Sequence, residues 1–164
     1  MYFLIDGYNL LFSWIEGKES IEKKREHLVN WIQREFKDMH LHGIIVFDGA
    51  HKSDEESGLS YPSPMELAFT PKGQSADENI LDRVEMLSNR KNATVVTNDQ
   101  GLKRQAGAFG AKTMSNDAFL KWLLKRASKK KAKRLPAKDS PQQIERLTKI
   151  FEEKLKKDDF EDWI

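Results

Sequence analysis

Three times in this chain a run of apolar residues ends in a carboxylate. The runs are Tyr2-Phe3-Leu4-Ile5-Asp6, Gly43-Ile44-Ile45-Val46-Phe47-Asp48 and Ala93-Thr94-Val95-Val96-Thr97-Asn98-Asp99. Short apolar runs closed by turn residues suit strands buried on both faces, as in a parallel sheet covered by helices. Helical patterns separate them. Ser20 caps a helix in which Ile21, Leu28, Val29, Ile32 and Phe36 recur at helical spacing. Ser75 and Glu78 stand at capping-box spacing before Ile80, Leu81, Val84 and Leu87. Gly101 to Ala106 reads as a short helix, and Ser115 caps one carrying Phe119, Leu120, Leu123 and Leu124. Met65 to Thr70 reads as a short edge strand, Gly110 to Met114 as a last strand, and Ala50 to Pro64 as a long surface loop. Strands alternating with helices specify an α/β fold, a mostly parallel sheet with right-handed crossovers and helices on both faces.

In such a sheet ligands bind outside the carboxyl ends of the strands, so Asp6, Asp48 and Asp99 should share one edge. Asp77, in the first turn of its helix, can point the same way. Gly7 is expected to let the chain turn sharply so that Asn9 brings its amide back toward Asp6. One such Asp is commonly a helix cap; four converging ones repel and raise each other's pKa. A divalent cation removes that conflict. Oxygen ligands without His or Cys favour Mg²⁺ or Mn²⁺, and the chemistry such a site serves is phosphoryl transfer.

Composition narrows the classes. The 164 residues make one domain with an appendage, and the absence of cysteine excludes disulfides and thiolate zinc sites. No apolar run approaches a membrane span, the N-terminus reads as a strand and not a signal peptide, and a cytoplasmic location is expected. The net charge of +2 hides an asymmetry: residues 1–120 carry 14 Lys and Arg against 18 Asp and Glu, residues 121–164 carry 14 against 8. An acidic body with a basic tail suits an anionic partner held beside an acidic site.

Asp6-Gly7-Tyr8-Asn9, Phe47-Asp48-Gly49, Ser75-Ala76-Asp77-Glu78 and Thr97-Asn98-Asp99 together resemble the NYN domain of the YacP type, a branch of the PIN-like nucleases, over about residues 1–125. The resemblance implies a PIN-like three-layer α/β/α sandwich and metal-dependent endoribonuclease activity. It implies Asp6, Asp77 and Asp99 as metal-binding carboxylates, Asn9 in support, and Asp48 as an acid of less defined role. Asp82 lies five residues from Asp77 and so on a different helical face. Thr97 and Ser75 either orient ligands or cap. With no evident general base, a metal-bound water is the expected nucleophile.

Lys121 to Lys138 holds nine basic residues and no acidic one. Part of this suits a helix C-terminus; Lys129, Lys130, Lys131, Lys133 and Arg134 exceed that need and are read as contacts to RNA, alone or in the ribosome or another ribonucleoprotein. Lys103 and Arg104, beside Asp99, either hold a substrate phosphate or serve solubility. We divide the chain into a nuclease domain, 1–128, and a basic linker with a C-terminal amphipathic helix, 129–164. Ile144, Leu147, Phe151 and Leu155 of that helix either dock on the body or bind a partner. Tyr8, beside the site, is the aromatic placed to stack on a base. A different class of function fits the same fold: an RNA-binding adaptor without catalysis. A haloacid-dehalogenase-type phosphatase fits less well, because Tyr8 stands where its second Asp is needed.

Overall fold

A computed structural model describes residues 1–14, 18, 20–49 and 64–134, with side chains to 130. The expected loop over 50–63 and the terminal helix after 134 lie outside these residues. The chain runs β1 (Tyr2–Asp6), α1 (Gly7–Trp14), α2 (Ile21–Met39), β2 (His42–Phe47), β3 (Met65–Phe69), α3 (Ala76–Met86), a 3-10 turn (Arg90–Asn92), β4 (Ala93–Val96), α4 (Gln100–Ala108), β5 (Lys112–Met114) and α5 (Asn116–Arg134). The five strands form one sheet in the order β3-β2-β1-β4-β5, and every neighbouring pair is parallel. Met65 to Phe69 is an edge strand, as its sequence predicts.

Alternation along the strands sorts the core into two layers. Phe3, Ile5, Ile45, Phe47 and Val96 pack with Leu28, Ile32, Phe36, Phe119 and Leu123 of α2 and α5. Leu4, Ile44, Val46 and Val95 pack with Ile80, Val84, Leu102 and Ala106 of α3 and α4. Each such side chain taken out of water contributes about 1.5–3 kcal/mol, so the β1 run is held from both sides. Caps form where the sequence places them. Ser20 accepts from the Lys23 amide, and Ser75 and Glu78 complete a reciprocal capping box.

The topology fixes where a ligand belongs. From β1 the chain passes through α1 and α2 to β2; from β4 it passes through α4 to β5 on the opposite side and the opposite face. β1 and β4 are neighbours whose connections diverge, which opens a crevice at their carboxyl ends. Register sets the levels within it. Ile5 pairs with Val96, so Asp6 is level with Thr97; Asp6 pairs with Val46, so Asp48 lies two positions further out.

Gly7 departs from the expected turn, because α1 starts at Gly7 itself, directly after Asp6. Its glycine is required for packing: a Cβ there would sit 2.5 Å from the Phe47 ring.

Candidate functional site

Asp6 shares its side-chain parity with Leu4 and therefore faces the α3/α4 layer. Asp6 as a whole is only 7% exposed. One carboxylate oxygen accepts from the Asn9 amide at 3.3 Å, the other from the Thr97 hydroxyl at 3.0 Å. Thr97, fully buried, accepts in turn from the Asp99 amide at 3.0 Å. Asp99 caps α4, its carboxylate accepting from the Leu102 amide at 2.7 Å.

Burial pushes the Asp6 carboxyl up to about 6; the bonds from Thr97 and Asn9 oppose this, and the charges of Asp77 and Asp99 add to it. Asp77 is raised too, by burial first, then by Asp99 and Glu78. The structure thus brings Asp6, Asp77 and Asp99 within electrostatic reach of one another. Asp48 is half-buried beyond the end of β2, and the acids acting on Asp6 are Asp77 and Asp99. Asp82 is exposed, its carboxylate accepting from Gln74 at 3.0 Å.

On the other side of Asp6 stands an amide network. The Asn9 side-chain oxygen accepts from the Asn98 amide at 2.7 Å and from the Asn116 side-chain amide at 2.8 Å. The same Asn116 nitrogen reaches the Asn9 carbonyl at 3.0 Å and the Ser13 hydroxyl at 2.9 Å. The Asn116 backbone amide donates to the Asn98 side chain at 3.0 Å. Asn9 thus supports the site, while Asn116 was not signalled by the sequence: an Asn in a first helical turn reads as ordinary cap chemistry.

Tyr8 is not placed for a base. Its ring is 8% exposed, packs edge-on to Phe47 at 4.9 Å, and its hydroxyl accepts from the buried Arg25 at 2.7 Å. Arg25 lies over the Phe47 and Phe69 rings at 5.7 and 5.1 Å, so Tyr8 belongs to the aromatic core.

The basic residues fall in two places. Lys103 and Arg104 lie in α4, just past Asp99. Lys129 and Lys130 lie far from the acids, because α5 starts at the site and runs antiparallel to β1: Asn116 meets Asn9, whereas Phe119 and Trp122 meet Phe3. At 1.5 Å per residue, Lys129 is about 20 Å along α5 from Asn116. Lys131, Lys133 and Arg134 continue α5, their side chains outside the described residues, and the boundary drawn after 128 falls within this helix.

An all-parallel sheet between two helical layers, with carboxylates gathered where neighbouring connections diverge, defines an α/β/α domain of the PIN-like kind. The model of the YacP-like NYN domain matches residues 3–163, and the chain belongs to that family. The match extends through the C-terminal segment, beyond the 125 residues over which the motifs alone showed the likeness. Among solved structures, the chain is similar to Rae1 (YacP) from Bacillus subtilis, with a TM-score of 0.67, 23% identity and 96% of each chain covered. A mutant of that protein gives a TM-score of 0.61 at 22% identity, covering 90% of each chain. No curated protein sequence matches. The family is one of nucleases, and membership supports a ribonuclease role with RNA as substrate. Among the described residues, no helix is long and apolar enough to cross a membrane.

Proposed function

We propose that this protein is a metal-dependent endoribonuclease that hydrolyses RNA phosphodiester bonds at the Asp6, Asp77 and Asp99 cluster. The observation that carries this reading is the burial of Asp6 at the switch point, which pushes its carboxyl up to about 6, with the charges of Asp77 and Asp99 adding to the shift. A fold seldom retains such a conflict without a ligand that relieves it. Among the described residues no three His, Cys, Asp or Glu side chains are gathered closely enough to ligate one ion. Carboxylate donors without His or Cys suit Mg²⁺ or Mn²⁺ held by one or two carboxylates, with water and substrate phosphate oxygens completing the shell. Such an ion, when bound, supplies a water of lowered pKa and neutralises charge on the phosphate.

The chain's own residues perform the positioning. Thr97 holds one oxygen of Asp6 and Asn9 the other, so the carboxylate enters the reaction already oriented. The Asp99 backbone is tied to the same Thr97 hydroxyl, which couples the two strand ends. Asp48 sits further out, on the approach to this edge. Lys103 and Arg104, in α4 just past Asp99, are read as contacts to a substrate phosphate.

The test is cleavage of a labelled RNA by protein stripped with chelator and then supplied with Mg²⁺ or Mn²⁺. Cleavage should vanish on stripping and return with the ion, and the ion should raise the thermal midpoint, as a ligand of the native state must. Cleavage that persists in excess chelator rejects the reading. RNA binding without cleavage under any ion makes the protein an RNA-binding adaptor instead.

The lysines at the far end of α5 are read as a capture surface for RNA or a ribonucleoprotein. Replacing Lys129, Lys130, Lys131 and Lys133 by Ala should weaken binding across RNA sequences. The slope of log affinity on log salt should fall by about 0.7 for each lost contact to a single strand. If the slope stays put, these lysines are solvated surface.

A further inference from the structure

We propose that Asn116, at the start of α5, is a positioning residue for the acid cluster, acting through Asn9 and Asn98. The inference rests on the cluster being the reactive site. Asn116 is fully buried, and its side-chain nitrogen faces three acceptors on α1: the Asn9 carbonyl, the Asn9 side-chain oxygen and the Ser13 hydroxyl, at 2.8 to 3.0 Å. Its backbone amide holds the Asn98 side chain, and the Asn98 amide holds Asn9. Those two partners flank the acids. Asn9 donates its amide to Asp6, and Asn98 lies between Thr97, the second partner of Asp6, and Asp99. Asn116 thereby links α1 to the segment after β4, through its side chain on Asn9 and its backbone amide on Asn98.

The chemistry requires a donor here. With the amide reversed, its oxygen would face two oxygens of Asn9, so the nitrogen must point at α1. The Asn116 side-chain oxygen is then buried without a hydrogen-bond partner among the described residues. An unpaired buried acceptor opposes stability, so packing alone would be served better by an apolar side chain. What the amide provides is geometry: it holds the Asn9 side-chain oxygen that also accepts from the Asn98 amide, beside the acids.

Three variants of the full chain separate positioning from general stability. Asn116→Asp keeps the shape but puts an oxygen where the donor was; Asn116→Ala removes the group; Phe119→Leu loosens the same helix one turn on, within the core. Both Asn116 variants should lose kcat by about tenfold or more with KM within about twofold, the pattern of lost orientation. Amide hydrogen exchange at Asn98 should accelerate by about tenfold while Val95 in β4 keeps its protection. Phe119→Leu, at a comparable loss of thermal midpoint, should leave kcat and Asn98 protection unchanged. Wild-type protection at Asn98 in both Asn116 variants, or the same losses in Phe119→Leu, overturns the assignment. If Asn116→Asp does not fold, Asn116→Ala decides alone. If the wild type cleaves no RNA, the proposed activity fails, while the exchange measurement still decides whether Asn116 holds the crevice.

Discussion

Asp6→Asn will reduce RNA cleavage by about a hundredfold or more, yet in chelator at neutral pH it will make the fold more stable. The reason lies in proton linkage. The Asp6 carboxyl is pushed from 3.8 up to about 6, so the folded chain binds this proton more tightly than the unfolded chain does. Its favourable contribution is present at pH below about 4 and is lost as the pH rises toward about 6 and beyond. At pH 7 the ionised, buried carboxylate opposes folding by about 3 kcal/mol at most, from 1.36 kcal/mol per pKa unit. Asn removes the charge but loses part of the match to Thr97 and Asn9, which leaves a net gain of about 1–2 kcal/mol. Asp77 is raised in the same sense and adds to the slope. Denaturant unfolding in chelator should show wild-type stability falling between about pH 4 and 6, with the fall reduced in the variant. A variant that is less stable than wild type at pH 7, or that cleaves at the wild-type rate, contradicts this account.

Gly7→Ala should destabilise this edge of the fold with a single methyl group. The added Cβ would lie 2.5 Å from two carbons of the Phe47 ring and 2.8 Å from a third. That ring cannot step aside easily, because it is fully buried with Tyr8 at 4.9 Å, Phe69 at 5.8 Å and the Arg25 guanidinium at 5.7 Å around it. Overpacking of this kind costs about 1–3 kcal/mol. It also displaces the first turn of α1, which carries Asn9, so cleavage should fall together with stability. A second change, Phe47→Leu, vacates the volume, and the double variant should be more stable than the sum of the single effects predicts. Equal melting of Gly7→Ala and wild type would show that the ring yields freely.

β1, β2 and β4 were legible because each is a short apolar run with a defined end, and a buried parallel strand leaves little else such a run can be. That signal placed Asp6 and Asp99 at one edge, and the capping box placed Asp77 at the start of α3. What stayed hidden depends on contacts between distant residues. Gly7 looks like a turn residue until Phe47, forty positions away, is seen against it. Tyr8 looks like an exposed aromatic beside a site until Arg25 and Phe47 enclose it. Asn116 carries no local mark of its role, because its three acceptors come from α1, more than a hundred residues earlier. Register alone does not sort the acids: Asp48 and Asp99 both lie two positions beyond the level of Asp6, and Asp99 is tied back to Asp6 through the Thr97 hydroxyl.

Within the described residues, the direction of α5 separates negative from positive charge. Carboxylates gather at the end where the helix begins, and Lys125, Arg126, Lys129 and Lys130 at the end toward which it runs. In the field of a polyanion such a body experiences a torque before it makes contact, and it turns its lysine end forward. On the proposed division of roles, first contact and hydrolysis occur at opposite poles, so the strand must extend or the protein must reorient between them. Added salt weakens that torque and slows capture, while it also screens the repulsion between the acids and an arriving phosphate. Association and cutting should therefore respond to ionic strength in opposite directions.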